Sequence, residues 1–152
     1  MFFLKEFPSR RMVDGYVDRF VGVDADRVLR ALHVMRAGSL LIRELEAYFA
    51  RHDLSQLRFL TLILIDREPE RDSLSASEIA ARLDVSRPVV TRTLQSLEKA
   101  GLIAITHDAD DARSRLVALT PAAHAKLDEI LPGYFAILHR GLPEDASARP
   151  VS

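Results

Sequence analysis

Residues 75–120 read SASEIAARLDVSRPVVTRTLQSLEKAGLIAITHDADDARSRLVALT. Ser75 followed by Glu78 is a capping box, in which hydroxyl and carboxylate close each other's open backbone N–H groups. The helix that follows, residues 76–83, offers Ile79, Ala80 and Leu83 to a core, and Asp84-Val85 supply a turn. Ser86 is expected to cap the next helix, with Pro88 in its first turn, where a missing N–H costs little. That helix is expected to reach Ala100 and to stop at Gly101, in the C′ position. LIAIT (102–106) and LVALT (116–120) alternate large and small side chains. They bracket HDADDARSR, too polar to bury, and so predict a hairpin with a long tip. Two short helices, a tight turn and a hairpin form the pattern of a winged helix-turn-helix, a unit that sets one helix in a DNA major groove.

The flanks extend this reading. Residues 24–51 show a long helical period, with Asp24 as N-cap and Val28, Leu32, Met35, Leu41, Leu45 and Phe49 along one face. Gly38-Ser39 permit a bend within it. A further helix is expected from about Ser55 to Glu68, and its stretch FLTLILI is apolar almost all round, which predicts burial at the domain centre. REPERDS (67–73) reads as a polar loop around Pro69. Thr120 and Pro121 open a last helix to residue 140, with Leu127, Ile130, Leu131, Phe135 and Leu138 on its apolar face. Pro132-Gly133 are expected to kink or break it. The first 23 residues form an arm. Phe2, Phe3, Leu4 and Phe7 are costly to leave in water, so the arm is expected to pack on the domain or on a partner subunit. Residues 141–152 lose their apolar side chains and read as a flexible tail.

The expected organisation is therefore an N-terminal arm (1–23), a helical dimerisation region (24–54 and 121–140), a winged helix-turn-helix domain (55–120) and the tail. The fold class is mainly α with a small β-hairpin.

The chain of 152 residues is 48% hydrophobic, enough for one core. Its 21 basic and 22 acidic residues nearly cancel. That balance argues against a protein that coats nucleic acid nonspecifically, so the clustering of charge matters more than its sum. The absence of cysteine excludes disulfides, thiolate metal sites and cysteine redox sensing. The N-terminal MFFLKEFPSRR puts apolar residues before its basic pair, the reverse of a signal peptide. No apolar run is long enough to span a bilayer. The expected location is the cytoplasm.

The helix at 86–100 has two faces. Val90, Leu94 and Leu97 must face a core, while Arg87, Pro88, Thr91, Arg92 and Gln95 face outward. Arginine pairs with guanine O6 and N7, glutamine with adenine, and threonine with phosphate or a thymine methyl. A solvated amphipathic helix is the bland alternative; the cap, turn, Gly101 and hairpin around it weigh against that. In the loop at 107–115, Asp111 is placed to hold Arg113 extended toward a minor groove, with Arg115 beside it. A solvated turn is the competing reading of this loop. A calcium loop fails here, since it requires glycine at Arg113 and glutamate at Leu119.

Five histidines, His33, His52, His107, His124 and His139, show no metal-ligand spacing, so no metal and no cofactor are expected. No glycine-rich phosphate loop, G-x-S-x-G or H-E-x-x-H occurs, and the chain is not expected to be an enzyme. The alternative class is a winged helix used for protein docking, without DNA binding; Arg87 and Arg92 at the helix start favour DNA.

From about Asp24 to Leu142 the chain resembles the MarR family of bacterial regulators. The resemblance lies in LSQLRFLTLILI (54–65), LSASEIAARLDVSRPVVTRTLQSLEKAGLI (74–103), DADDARSRLVALT (108–120) and TPAAHAKL (120–127). It implies a homodimer joined by its first and C-terminal helices, reading a pseudo-palindromic operator in double-stranded DNA. The implied recognition positions are Ser86, Arg87, Pro88, Thr91 and Arg92, with Arg113 as the wing-tip arginine. It also implies repression relieved by a small phenolic or anionic effector bound between the dimerisation and DNA-binding regions. His33, Arg43, His52, Arg58 and Phe59 are the candidate contacts. The family ends in another long apolar helix, whereas this chain stops at Ser152 after a polar tail. Its dimer is accordingly expected to depend on residues 24–51, residues 121–140 and the phenylalanine-rich arm.

Overall fold

A computed structural model of the protein describes residues 6–107 and 115–141. Among them the chain forms α1 (Arg10–Val17), α2 (Ala25–Arg51), α3 (Gln56–Asp66), β1 (Ser73–Ser75), α4 (Ala76–Arg82), α5 (Arg87–Lys99), β2 (Ile103–His107), β3 (Arg115–Leu119) and α6 (Pro121–Gly141). This is the mainly helical winged helix-turn-helix fold expected from the sequence, with α4 and α5 as the helix pair. Two compact units divide it: residues 46–135, and residues 1–45 with 136–152. No described helix is long and apolar enough to cross a membrane.

The unit of residues 46–135 is built around α3. Phe59, Thr61, Leu62, Leu64 and Ile65 of this helix are buried. The Phe59 ring lies 4.5 Å from Phe49 and 4.7 Å from Tyr134, centroid to centroid. Each such side chain withdrawn from water contributes roughly 1.5–3 kcal/mol. Thr61 is buried at no polar cost, because its hydroxyl donates to the Leu57 carbonyl at 2.8 Å.

The sheet has three strands in the order β1-β3-β2, all antiparallel, where the sequence predicts only a hairpin. The extra strand, β1, comes from the expected polar loop and its capping serine. Two serines around Leu74 give no strand pattern, yet Leu74 pairs with Val117 and both are fully buried. The hairpin strands run one residue off the expected bounds, so that His107 and Arg115 belong to the ladder. Thr120 closes the base of the hairpin. Its amide donates to the Leu102 carbonyl at 3.1 Å, its hydroxyl donates to the Gly101 carbonyl at 2.7 Å, and the same oxygen accepts from the Ala123 amide that opens α6.

Pro132 does not break α6, which runs on to Gly141. Proline removes the N–H that would meet the Asp128 carbonyl, but Asp128 and Pro132 are both exposed, leaving that carbonyl open to water. Gly133 has a different task. A Cβ there would overlap the Tyr48 ring and hydroxyl, and that hydroxyl donates to the Ile130 carbonyl at 2.8 Å.

In the other unit, Ser9 caps α1 by accepting from the Met12 amide at 3.3 Å. Val13 is its buried residue. Met12, Tyr16 and Phe20 point outward, 59%, 66% and 62% exposed. Phe7 of the arm stacks on His33 with centroids 3.9 Å apart; Phe2, Phe3 and Leu4 lie outside the described residues, as do residues 142–152 of the expected tail. On α2, which is unbroken at Gly38-Ser39, Leu45 is buried but Met35, expected on the same face, is 58% exposed. Glu44 and Arg140 form an ion pair at 2.5 Å.

Gly133→Ala is expected to destabilise the protein by about 1–3 kcal/mol in urea denaturation, through overpacking and loss of the Tyr48 bond. Shortening the obstacle with Tyr48→Ala should remove most of that penalty in the double variant.

Candidate nucleic-acid interface

Helix α5 has a sharply divided surface. Val90, Thr93, Leu94 and Leu97 are buried, while Ser86, Arg87, Pro88, Thr91, Arg92 and Gln95 are all exposed. The buried set matches the expected core stripe and adds Thr93, whose hydroxyl is satisfied by the Val89 carbonyl at 2.9 Å. Gly101 ends the helix in the left-handed region, φ 70°, a conformation that suits glycine. The amides of Gly101 and Leu102 then close back onto the carbonyls of Glu98 and Leu97 at 2.9 and 3.0 Å.

The start of α5 differs from the expectation in one respect. Ser86 occupies the N-cap with extended backbone, but its side chain makes no cap hydrogen bond. A capping side chain accepts from the second or third helical amide. Pro88, the second, has no N–H, and the Val89 amide is taken by the Ser86 carbonyl at 2.9 Å. The serine hydroxyl is left for another partner.

Charge is divided between the two helices. On α4 and its approach the arginines are engaged: Arg82 bonds Glu68 at 2.6 Å, and Arg71 bonds Glu78 at 2.7 Å. Among the described residues, Arg87, Arg92 and Arg115 form no ion pair with any carboxylate. Arg87, Arg92 and Arg115 thus stand exposed and unneutralised on α5 and the strand beside it, a local feature that the net charge of the chain conceals.

Strand geometry explains how Arg115 joins this group. It sits two residues before Val117 on β3 and so shares the face of that buried residue. Arg115, Thr91, Gln95 and Glu98 line a shallow recess of about 200 Å³ between α5 and the sheet. Arg87 and Thr91 line a second, of about 140 Å³, against α4. Ser86, Pro88 and Arg92 lie outside both. Arg113 and Asp111 fall outside the described residues. Glu98 lines the first recess, and Val89, which the sequence does not single out, is 37% exposed.

The five candidate effector contacts are distributed between the units. His33 and Arg43 belong to the unit of residues 1–45 and 136–152, and His52, Arg58 and Phe59 to the other. His33 is stacked on Phe7. His52 meets the Glu129 carboxylate at 2.9 Å, Arg58 donates to the Asp53 carbonyl at 2.9 Å, and Phe59 is fully buried in the aromatic core. Among the described residues, no group of three or more His, Asp or Glu is arranged to hold a metal ion.

A buried-stripe helix set on a three-stranded sheet, preceded by a capped partner helix, defines a winged helix-turn-helix protein. Residues 52–114 match a model of the MarR family. Over 134 residues the chain is 28% identical to the HTH-type transcriptional repressor YetL of Bacillus subtilis (strain 168), covering 88% of this chain and 79% of that one. The crystal structure of the YusO protein from Bacillus subtilis is similar with a TM-score of 0.62 and 27% identity, over 81% of this chain and 89% of that one. Sco3205, a MarR family transcriptional regulator from Streptomyces coelicolor solved in complex with DNA, shares the fold with a TM-score of 0.72 at 20% identity, over 84% of this chain and 79% of that one. The similarity to the MarR family is thus carried by residues 52–114.

The cap of α4 gives a pH signature. Glu78 accepts from Arg71 and from the Ser75 amide, and these bonds lower its carboxyl from the ordinary 4.5 to about 2. The folded value lies below the unfolded one, so the contribution to stability is complete above about pH 4.5 and is lost as pH falls toward 2. Glu78→Gln should therefore be less stable than wild type at neutral pH in urea titrations, the two curves converging in acid.

Proposed function

We propose that the protein is a sequence-specific, double-stranded-DNA-binding transcriptional regulator, a homodimeric and ligand-responsive repressor of the cytoplasm. The observation that supports this best is the outer surface of α5, where Arg87 and Arg92 stand exposed without ion-pair partners on a helix locked by its inner stripe. Guanidinium groups so placed suit guanine edges and phosphates, and Gln95 and Thr91 add hydrogen-bonding partners for neighbouring bases. Arg115 and Arg113 are assigned to the adjacent groove and backbone. YetL is named a repressor and Sco3205 is solved with DNA, which agrees with this reading.

Two-fold symmetry would present two such helices to a pseudo-palindromic operator. The apolar residues left exposed on α2, among them Val34 and Leu40 at 72% and 52%, support a partner subunit there. A small phenolic or anionic effector completes the proposal.

The test is binding to the DNA upstream of the protein's own gene, followed by fluorescence anisotropy across a salt series. Tight binding that weakens linearly in log salt, about 0.9 per phosphate contacted, is expected. Arg92→Ala should cost about 1–3 kcal/mol and relax preference at one base position per half-site. Absence of binding even at low salt would favour a protein-docking role instead.

A further inference from the structure

Val89 is the one large apolar residue exposed on α5, at 37%. It is three residues before Arg92, so the two side chains are neighbours on one flank of the helix, about 5–6 Å apart at their Cβ atoms. The opposite flank, with Thr91 and Glu98, turns toward the recess beneath the sheet. The helix thus places a methyl-bearing side chain beside an exposed guanidinium that makes no ion pair among the described residues. A partner that covers the exposed part of Val89 withdraws further apolar area from water, which favours binding.

In a major groove the matching chemistry is specific. Guanine offers O6 and N7 to arginine, and the only apolar group on a base edge there is the C5-methyl of thymine. Successive bases on one strand are about 3.4 Å apart, a step that neighbouring residues of one helix flank can follow. We propose that Val89 is a specificity-determining residue that covers the methyl group of a thymine next to the base contacted by Arg92. The assignment rests on the DNA-binding reading of α5 and adds to it a preference for thymine over any pyrimidine lacking the methyl.

The test first selects a preferred site from a randomised duplex pool with the full-length protein, then replaces each thymine in turn by deoxyuridine. Removing a methyl that is buried on binding should weaken wild type about fourfold at one position per half-site. In Val89→Ala that sensitivity should vanish, while sensitivity to guanine replacement at the Arg92 position persists. Val85→Ala, which changes an equally exposed valine in the turn before the helix, should leave the sensitivity intact. Thermal melting establishes that each variant is folded; Val89→Ile, which retains the branched surface, should keep the discrimination. Methyl sensitivity that survives in Val89→Ala, or selective binding with no methyl-sensitive thymine, overturns this assignment alone. Failure of wild type to select any sequence overturns both it and the regulator reading.

Discussion

The inner stripe of α5 sets the rotation of that helix about its axis, and most of the candidate interface follows from it. Val90, Leu94 and Leu97 are withdrawn from water against the core of α3 and the sheet. Turning the helix by one residue, about 100°, would expose leucine and bury arginine, each at a cost of kilocalories. The outward direction of Arg87, Pro88, Thr91 and Arg92 is therefore enforced by residues that never meet a ligand. The ends of the helix reinforce this. Gly101 stops it where the chain must reverse into β2, and the capping box at Ser75 and Glu78 fixes the helix before it.

Much of this was legible in the sequence because its signals are local. A capping box, a proline in a first turn and a C′ glycine each act within four residues, so they survive without knowledge of the tertiary structure. What was not legible depended on partners far along the chain. Strand β1 has three residues, and only its pairing with β3 makes it a strand. Arg115 read as part of a polar loop; the ladder with His107 turns it toward α5. The continuity of α6 at Pro132 depends on which side of the helix faces water, a question periodicity alone does not answer. Ser86 shows the limit from the other direction, since its position as N-cap was readable but the use of its hydroxyl was not.

The candidate site was legible to the same extent. Residues exposed on α5 were identified from helical period, and all of those described are exposed. The effector contacts had no such period to guide them, and the structure distributes them between two units, with Phe59 deep in the aromatic core. A large apolar residue on a buried helix is more readily explained by packing than by recognition, and Phe59 follows that rule.

Thr120 joins three pieces of chain at one oxygen and one amide: the end of α5, the first strand of the hairpin and the start of α6. The hairpin is thereby closed at its base, independently of the chain between His107 and Arg115. Lengthening that connection raises loop entropy only as a logarithm of its length. The connection between β2 and β3 can therefore change in length while the register of α5 stays unchanged. The length of that connection and the outward residues of α5 can then vary separately within one fold.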